Sequence, residues 1–154
     1  MRVVVIDSEL LVLLVVGIAS REYISRHRRL RAYTEADFDL LSDLISRYSE
    51  IIVTPNTLTE ASNLLGYVNE PIKRHVFDVF RKFIGISGET YLESKLASER
   101  DEFVRLGLTD SVLLKASEGD RVLVTADLDL YLAACASEHH AVNFNHLREA
   151  RKTV

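Results

Sequence analysis

The sequence has 154 residues, 47% of them hydrophobic and 27% charged, which predicts one folded domain, 1–154, and excludes a disordered chain. Its single cysteine, Cys135, excludes an intramolecular disulfide and cannot by itself form a zinc site. The net charge of −4 does not by itself indicate nucleic-acid binding, although basic residues are concentrated locally.

The apolar N-terminal stretch predicts a strand and a buried helix, not a membrane span. Asp7, Ser8 and Glu9 divide it, and neither half reaches the roughly 20 residues that a span requires. These polar residues also argue against a signal peptide, which needs an uninterrupted apolar segment. We therefore expect a cytoplasmic protein with no membrane association.

Short β-branched runs alternate with segments of helical periodicity along the chain. In chain order the pattern predicts strand 2–6, helices 8–19 and 34–48, strand 51–53, helices 54–66, 71–84, 91–106 and 110–118, strand 121–125, helix 128–137, strand 141–144 and a final helix from 145. This alternation predicts an α/β fold, in which a parallel sheet of four to five short strands lies between layers of helices and helix outweighs strand.

Five arginines follow the first predicted helix with only one acidic residue among them: Arg21, Arg26, Arg28, Arg29 and Arg31. One interpretation is a rim, or a flap, on which Arg26, Arg28 and Arg29 bind RNA phosphates. The other is a solvated surface patch, which is the usual role of a run of charges. The sequence leaves both open.

Four acidic residues lie near strand ends or helix starts. Asp7 ends the first strand, Glu60 lies on the helix after the second, Asp110 opens a helix, and Asp127 follows the strand that ends at Thr125. Ligands of parallel α/β sheets bind at the carboxyl ends of the strands. Four carboxylates there would repel one another unless a cation neutralised them, and oxygen ligands suit Mg²⁺ or Mn²⁺. Such an ion can activate water and stabilise charge on a phosphate.

Each acid also has a purely structural interpretation. Asp110 would complement a helix dipole, and Glu60 could close a capping box. Asp127, together with Asp129, could be a turn with an N-cap. Asp7 is harder to explain in this way, because a charge between a buried strand and an apolar helix should not remain unpaired.

Four segments, taken in order, resemble the PIN-domain family of metal-dependent nucleases, which includes the VapC-type toxins. They are VVVIDSELL at 3–11, TPNTLTEA at 54–61, GLTDS at 107–111 and LVTADLDL at 123–130. None is specific alone, but their order and their predicted strand and helix context match the family across nearly the whole chain. Glu9 departs from the pattern, because an Asn is common there.

The resemblance implies a three-layer fold with one acidic pocket, one or two Mg²⁺ or Mn²⁺ ions and endonucleolytic cleavage of RNA. The acids that carry over as metal-binding or catalytic residues are Asp7, Glu60, Asp110 and Asp127, with Asp129 as the near alternative at the fourth place. The polar residues that carry over as lining the pocket are Ser8 and Thr125. Asn63 shares a helix face with Glu60 and could bond that carboxylate, a phosphate or buried backbone.

The leading hypothesis is a Mg²⁺- or Mn²⁺-dependent endoribonuclease, with an antitoxin protein and a second copy of the chain as further expected partners. The homodimer is expected because the apolar helices after Pro71 exceed the needs of one core. The alternative is a non-catalytic PIN-like module that binds RNA or protein. A phosphatase or receiver-like domain is a third interpretation, but residues 7–9 lack the Asp-x-Asp pair of common phosphatases.

Overall fold

A computed structural model describes residues 2–152 of the chain. Within this range one sheet has five strands, all parallel, in the order β3-β2-β1-β4-β5. The strands are β1 (Val3–Ile6), β2 (Glu50–Val53), β3 (Gly88–Glu89), β4 (Arg121–Thr125) and β5 (His140–Asn143). The predicted α/β fold with a parallel sheet is confirmed.

Helices follow each strand and cover the sheet. They are α1 (Ser8–Ala19), α2 (Glu35–Ile45), α3 (Pro55–Leu65), α4 (Ile72–Ile86), α5 (Ser94–Ser98), α6 (Phe103–Leu106), α7 (Leu108–Ala116), α8 (Leu128–Ala136) and α9 (Phe144–Lys152). Among the helices of residues 2–152, none combines the length and apolar character needed to cross a lipid bilayer.

Alternate residues of the buried strands face opposite layers. Val4 and Ile6 of β1 pack into a large core with α1 to α4, whereas Val5 packs into a smaller core with α7 and α8. Because successive strand side chains point to opposite faces, a continuous apolar run is what a sheet covered on both sides requires. This arrangement confirms the three-layer prediction.

Helix α1 is buried along most of its length, which explains why residues 10–16 are all apolar. It packs against α2, α3 and α4. Gly17 permits the approach of α2, because a Cβ there would overlap the ring of Phe38. The first turn of α1 is therefore fixed between the sheet and three helices, and that turn begins immediately after Asp7.

The arginine-rich segment packs against the end of α3 through a buried histidine. It forms two short 3₁₀ helices, Arg21–Arg26 and Arg28–Leu30, on either side of the buried His27. The Arg29 backbone N–H donates to His27 Nδ1 at 3.2 Å, so Nε2 carries the proton and donates to the Leu65 carbonyl at 3.1 Å. Burial lowers the pKa of His27, which favours the neutral ring. This ring ties the segment to the end of α3.

The predicted helix 91–106 is wrong. Residues 90–93 belong to no helix or strand, and only the short helices α5 and α6 form within 94–106. The cause is the edge strand β3, which the sequence pattern did not predict: it pairs with β2, and the Thr90 N–H continues the ladder to the Val53 carbonyl at 2.9 Å. Sheet pairing thus keeps the chain extended where its periodicity suggested helix.

A buried ion pair attaches α9 to α2. Asp37 accepts from Arg148 Nε at 3.1 Å and from Arg151 Nη2 at 2.6 Å, and it also completes a capping box with Thr34. Although burial raises the pKa of Asp37, hydrogen bonds from Arg151 and Arg148 outweigh it and hold that pKa at about 2. Asp37 is therefore ionised at neutral pH and holds the C-terminal helix against the large core.

Asp37→Ala is expected to lower the free energy of unfolding by about 3 kcal/mol, because it leaves two arginines without their acid and removes the side-chain half of a capping box. The low end of the usual range applies, since both arginines partly reach water. The matched control is Asp39→Ala on the same helix, which breaks an exposed pair with Arg21 and should change stability little. Urea denaturation at pH 7 measures both; equal losses would contradict the prediction.

Candidate active site

The candidate site lies where the strand order reverses. The chain moves from β1 outward to β2 and β3, then returns to add β4 on the other side of β1. A crevice opens at the carboxyl end of such a reversal, and in doubly wound sheets it is the usual ligand site. Asp7 follows β1 there, and its backbone N–H donates to the Val124 carbonyl of β4 at 3.1 Å.

The Asp7 carboxylate is almost fully buried, with 6% of the residue exposed. Thr125 Oγ1 donates to Asp7 Oδ2 at 2.6 Å, and the Ser8 N–H donates to Oδ1 at 2.7 Å as an N-terminal cap of α1. Burial raises the pKa of the Asp7 carboxyl to about 6, although those two hydrogen bonds lower it. Repulsion from Asp127 and Glu60 raises it further.

Short hydrogen bonds connect Asp7 with two of the other acids. Ser8 Oγ donates to Glu60 Oε1 at 2.8 Å, which joins the start of α1 to the middle of α3. On the other side, Thr125 Oγ1 accepts the Asp127 N–H at 2.9 Å. Asp127 in turn caps α8, because its Oδ1 accepts the Leu130 N–H at 3.1 Å.

The four predicted acids, from four different elements, border one cavity of about 310 Å³, which we call the acid cavity. Its lining residues are Asp7, Ser8, Glu9, Val12, Arg29, Glu60, Leu64, Asp110 and Asp127. Asp110 lies in the first turn of α7. Burial raises the pKa of its carboxyl to about 7, and repulsion from Asp7, Asp127 and Glu60 adds to the effect.

No cation of the described chain neutralises these acids. Within residues 2–152, no Lys, Arg or His forms an ion pair with any of the four. Over the same residues, no three His, Cys, Asp or Glu side chains are arranged as a ready-made metal site. Asp7, Glu60 and Asp127 accept hydrogen bonds from hydroxyl or backbone N–H donors instead, as described above.

The predicted phosphate-binding arginines lie in different places. Arg29 lines the acid cavity, and its guanidinium stacks over the Tyr67 ring at 5.4 Å from the centroid. Arg28 donates to Asn69 Oδ1 at 3.2 Å, and Arg26 borders a separate groove beside Tyr33. Neither of these two lines the acid cavity.

Of the remaining predicted site residues, some line the acid cavity and others do not. Ser8 lines the acid cavity, whereas Thr125 is fully buried behind it and acts on Asp7 by hydrogen bonding. Asp129 is exposed on α8 and does not line the cavity, so the structure brings Asp127 and not Asp129 to the acids. Asn63 borders a second cavity, described below, and within residues 2–152 no hydrogen bond joins it to Glu60.

Two structural features at or beside the acid cavity were not predicted as functional. Tyr67 holds Arg29 at the cavity, and only the packing of residues 21–30 onto α3 brings the two together. Val12 and Leu64 provide an apolar wall of the cavity. They follow Glu9 and Glu60 by three and four residues, and this helical spacing is the sequence signal that could have found them. Glu9, the departure from the family pattern, lines the cavity as a further acid.

Comparisons with known proteins leave the chain without an assigned family. No protein-family model matches the sequence, and no curated protein was found to be a relative.

Asp110→Asn is expected to stabilise the metal-free protein at pH 8. An unfolded carboxyl, with a pKa near 3.8, ionises before the folded one, at about 7, so the free energy of unfolding should fall as pH rises from about 4 to about 7. Because Asp110 is partly exposed, solvent screening limits the expected gain at pH 8 to about 1–2 kcal/mol.

Urea denaturation in EDTA at pH 4 and pH 8 checks this prediction. The gain should be much smaller at pH 4, where the folded carboxyl is protonated and only roughly half of the unfolded carboxyl is ionised. Asp129→Asn is the matched control, since it removes an exposed charge outside the acid cavity and should leave the pH profile unchanged. A destabilised Asp110→Asn protein at pH 8 would contradict the prediction.

Proposed function

We propose that the protein is a Mg²⁺- or Mn²⁺-dependent endoribonuclease with a PIN-like site. The observation that supports this most strongly is the meeting of Asp7, Glu60, Asp110 and Asp127 around one cavity at the switch point of the sheet. Four acids without a cationic partner are costly unless protons or a cation neutralise them. A structural sheet edge has no need for such a cluster.

The residues present fit a hard divalent cation. Carboxylate oxygens are the donors that Mg²⁺ and Mn²⁺ prefer, and Asp7, Asp110, Asp127 and Glu60 supply them from four elements. The repulsion between these carboxylates is what such an ion relieves. When bound, such an ion would lower the pKa of water and stabilise negative charge on the phosphate.

The protein's own side chains hold the acids in position. Thr125 and Ser8 fix both oxygens of Asp7, and Ser8 also fixes Glu60. Such donors keep a ligand carboxylate in one orientation, which preserves the spacing of the site between turnovers. Carboxylate oxygens that face the cavity are also the acceptors for the proton that an attacking water releases.

Arg29 is the residue placed to bind the substrate. Its guanidinium borders the acid cavity and is held by the Tyr67 ring. Within residues 2–152 it forms no ion pair with an acid, so its donors are available to a phosphate. A cation at the rim offsets part of the repulsion that RNA meets on approaching an acidic site. This assigns the rim interpretation of the arginine segment to Arg29 alone.

An antitoxin partner stays a prediction of the resemblance. The homodimer and the cytoplasmic location stay predictions from the sequence itself. Side chains such as Ile86 on α4 and Val104 on α6 are 84% and 93% exposed, which is compatible with a second copy of the chain covering them.

Asp7→Asn is expected to lower the rate of metal-dependent RNA cleavage by at least about a hundredfold, because the central carboxylate of the site loses its charge. The measurement follows a labelled single-stranded RNA with Mn²⁺, Mg²⁺ or EDTA, and circular dichroism verifies folding. Asp129→Asn is the control and should cleave at the rate of the natural sequence. Unchanged cleavage by folded Asp7→Asn would refute the proposal, and RNA binding without cleavage would favour the non-catalytic module.

Arg29→Ala is expected to weaken RNA binding and to reduce the slope of log affinity against log salt by about 1, as the loss of one phosphate contact requires. Arg26→Ala is the matched control: it removes the same charge from the same segment, but outside the acid cavity. Fluorescence anisotropy over a salt series measures both. Identical slopes for the two variants would show that only general charge matters.

A further inference from the structure

A second cavity of about 570 Å³ adjoins the acid cavity, and Glu60 borders both. The two also meet at the start of α7, where Thr109 lines the second cavity and its neighbour Asp110 lines the first. If a phosphate of an RNA chain lay among the acids, the adjoining nucleotide would therefore lie in or beside the second cavity. Its size is within the range of small-molecule sites in proteins.

One face of α3 supplies the polar wall. Asn56, Thr59 and Asn63 follow the helical spacing of three and four residues, in line with Glu60. Within residues 2–152, neither asparagine amide has a hydrogen-bond partner. Each amide presents one acceptor and two donors, so the wall offers unused donors and acceptors side by side.

Another part of the cavity lining carries an exposed aromatic ring. Tyr91 lines the cavity with 76% of the residue accessible, far more than a ring of this size usually leaves in water. Its segment is fixed, because the Thr90 N–H bonds the Val53 carbonyl at 2.9 Å and Arg121 Nη1 donates to Thr90 Oγ1 at 3.1 Å. The ring therefore stands on an anchored piece of backbone at the carboxyl edge of the sheet.

We propose that the second cavity is a nucleobase subsite. One base of a single-stranded RNA stacks on Tyr91, and Asn56 and Asn63 bond its edge while the neighbouring phosphate occupies the acid cavity. This inference rests on the proposed function and deepens it, since it names the residues that set base preference beside the cut.

The chemistry of the walls matches that of a base. Every base has a flat π-face that stacks on an aromatic ring, and its edge carries donors and acceptors in one plane. An asparagine amide can pair with two of them at once, as it does with adenine in nucleic-acid complexes. Pro55 and Leu92 complete the cavity with apolar surface, which suits the flat faces and not the phosphates.

The first test measures binding and does not depend on cleavage. Fluorescence anisotropy of labelled short single-stranded RNA is recorded with Ca²⁺ in place of Mg²⁺, for the full chain and its variants. Tyr91→Ala should weaken binding by about 5- to 150-fold, as loss of one stacked base predicts, whereas Tyr91→Phe keeps the ring and should bind within about twofold of the natural sequence. Leu132→Ala, which trims an exposed apolar side chain that lines neither cavity, is the control.

Equal binding by the natural sequence and Tyr91→Ala overturns the subsite, as does a natural sequence that binds no RNA. A loss shared by Tyr91→Phe also overturns it, because stacking would not be the cause. If RNA is bound through Tyr91 but never cut, the proposed function fails and the subsite stands.

The second test measures specificity. Cleavage products of a random-sequence RNA are sequenced for the natural chain and for Asn56→Ala and Asn63→Ala. Base preference at one position beside the cut should flatten, while total cleavage falls less than about tenfold, because neither residue borders the acid cavity. Preference that is unchanged in both variants overturns the assignment of these amides.

Discussion

The buried Asp7 carboxylate is the constraint on which the rest of the site depends. It follows the central strand of the sheet, and Thr125 and Ser8 hold it by hydrogen bonds. No Lys, Arg or His among residues 2–152 forms an ion pair with it. An unpaired charge in this position costs stability in the absence of a ligand. The burial of α1 offsets the free-energy cost of this carboxylate. A residue that costs stability and is compensated by packing elsewhere is typical of a functional site.

Helix N-termini reduce the cost of the acidic cluster. Asp7 caps α1, Asp127 caps α8 and Asp110 lies in the first turn of α7. Three helix dipoles therefore point their positive ends towards one cavity. The structural and functional interpretations of these acids are then not alternatives: capping is how the fold tolerates negative charge at the place where a cation is proposed to bind.

The sequence was sufficient to predict the alternation of elements and the sheet edge where the acids meet, because β-branched runs and helical periodicity are local signals. It was not sufficient for β3, which has two residues and exists only because β2 offers it a partner. For the same reason the sequence could not predict the proposed subsite. The predicted helix 91–106 placed Tyr91 on a helix and not beside the edge strand β3. Arg29 could not be separated from Arg26 and Arg28 either, because their positions follow from the burial of His27.

Glu60 has a different relation to the fold from the other three acids. It lies inside α3, not at its start, because Thr54 is the cap and accepts the Thr57 N–H at 3.1 Å. No helix dipole favours its charge, and its bond with Ser8 links it to the first turn of α1. Since the same helix face carries Asn56 and Asn63, the pitch of α3 sets the distance between the acids and the amides. A single rigid helix thus determines how far the proposed site of hydrolysis lies from the proposed site of base recognition.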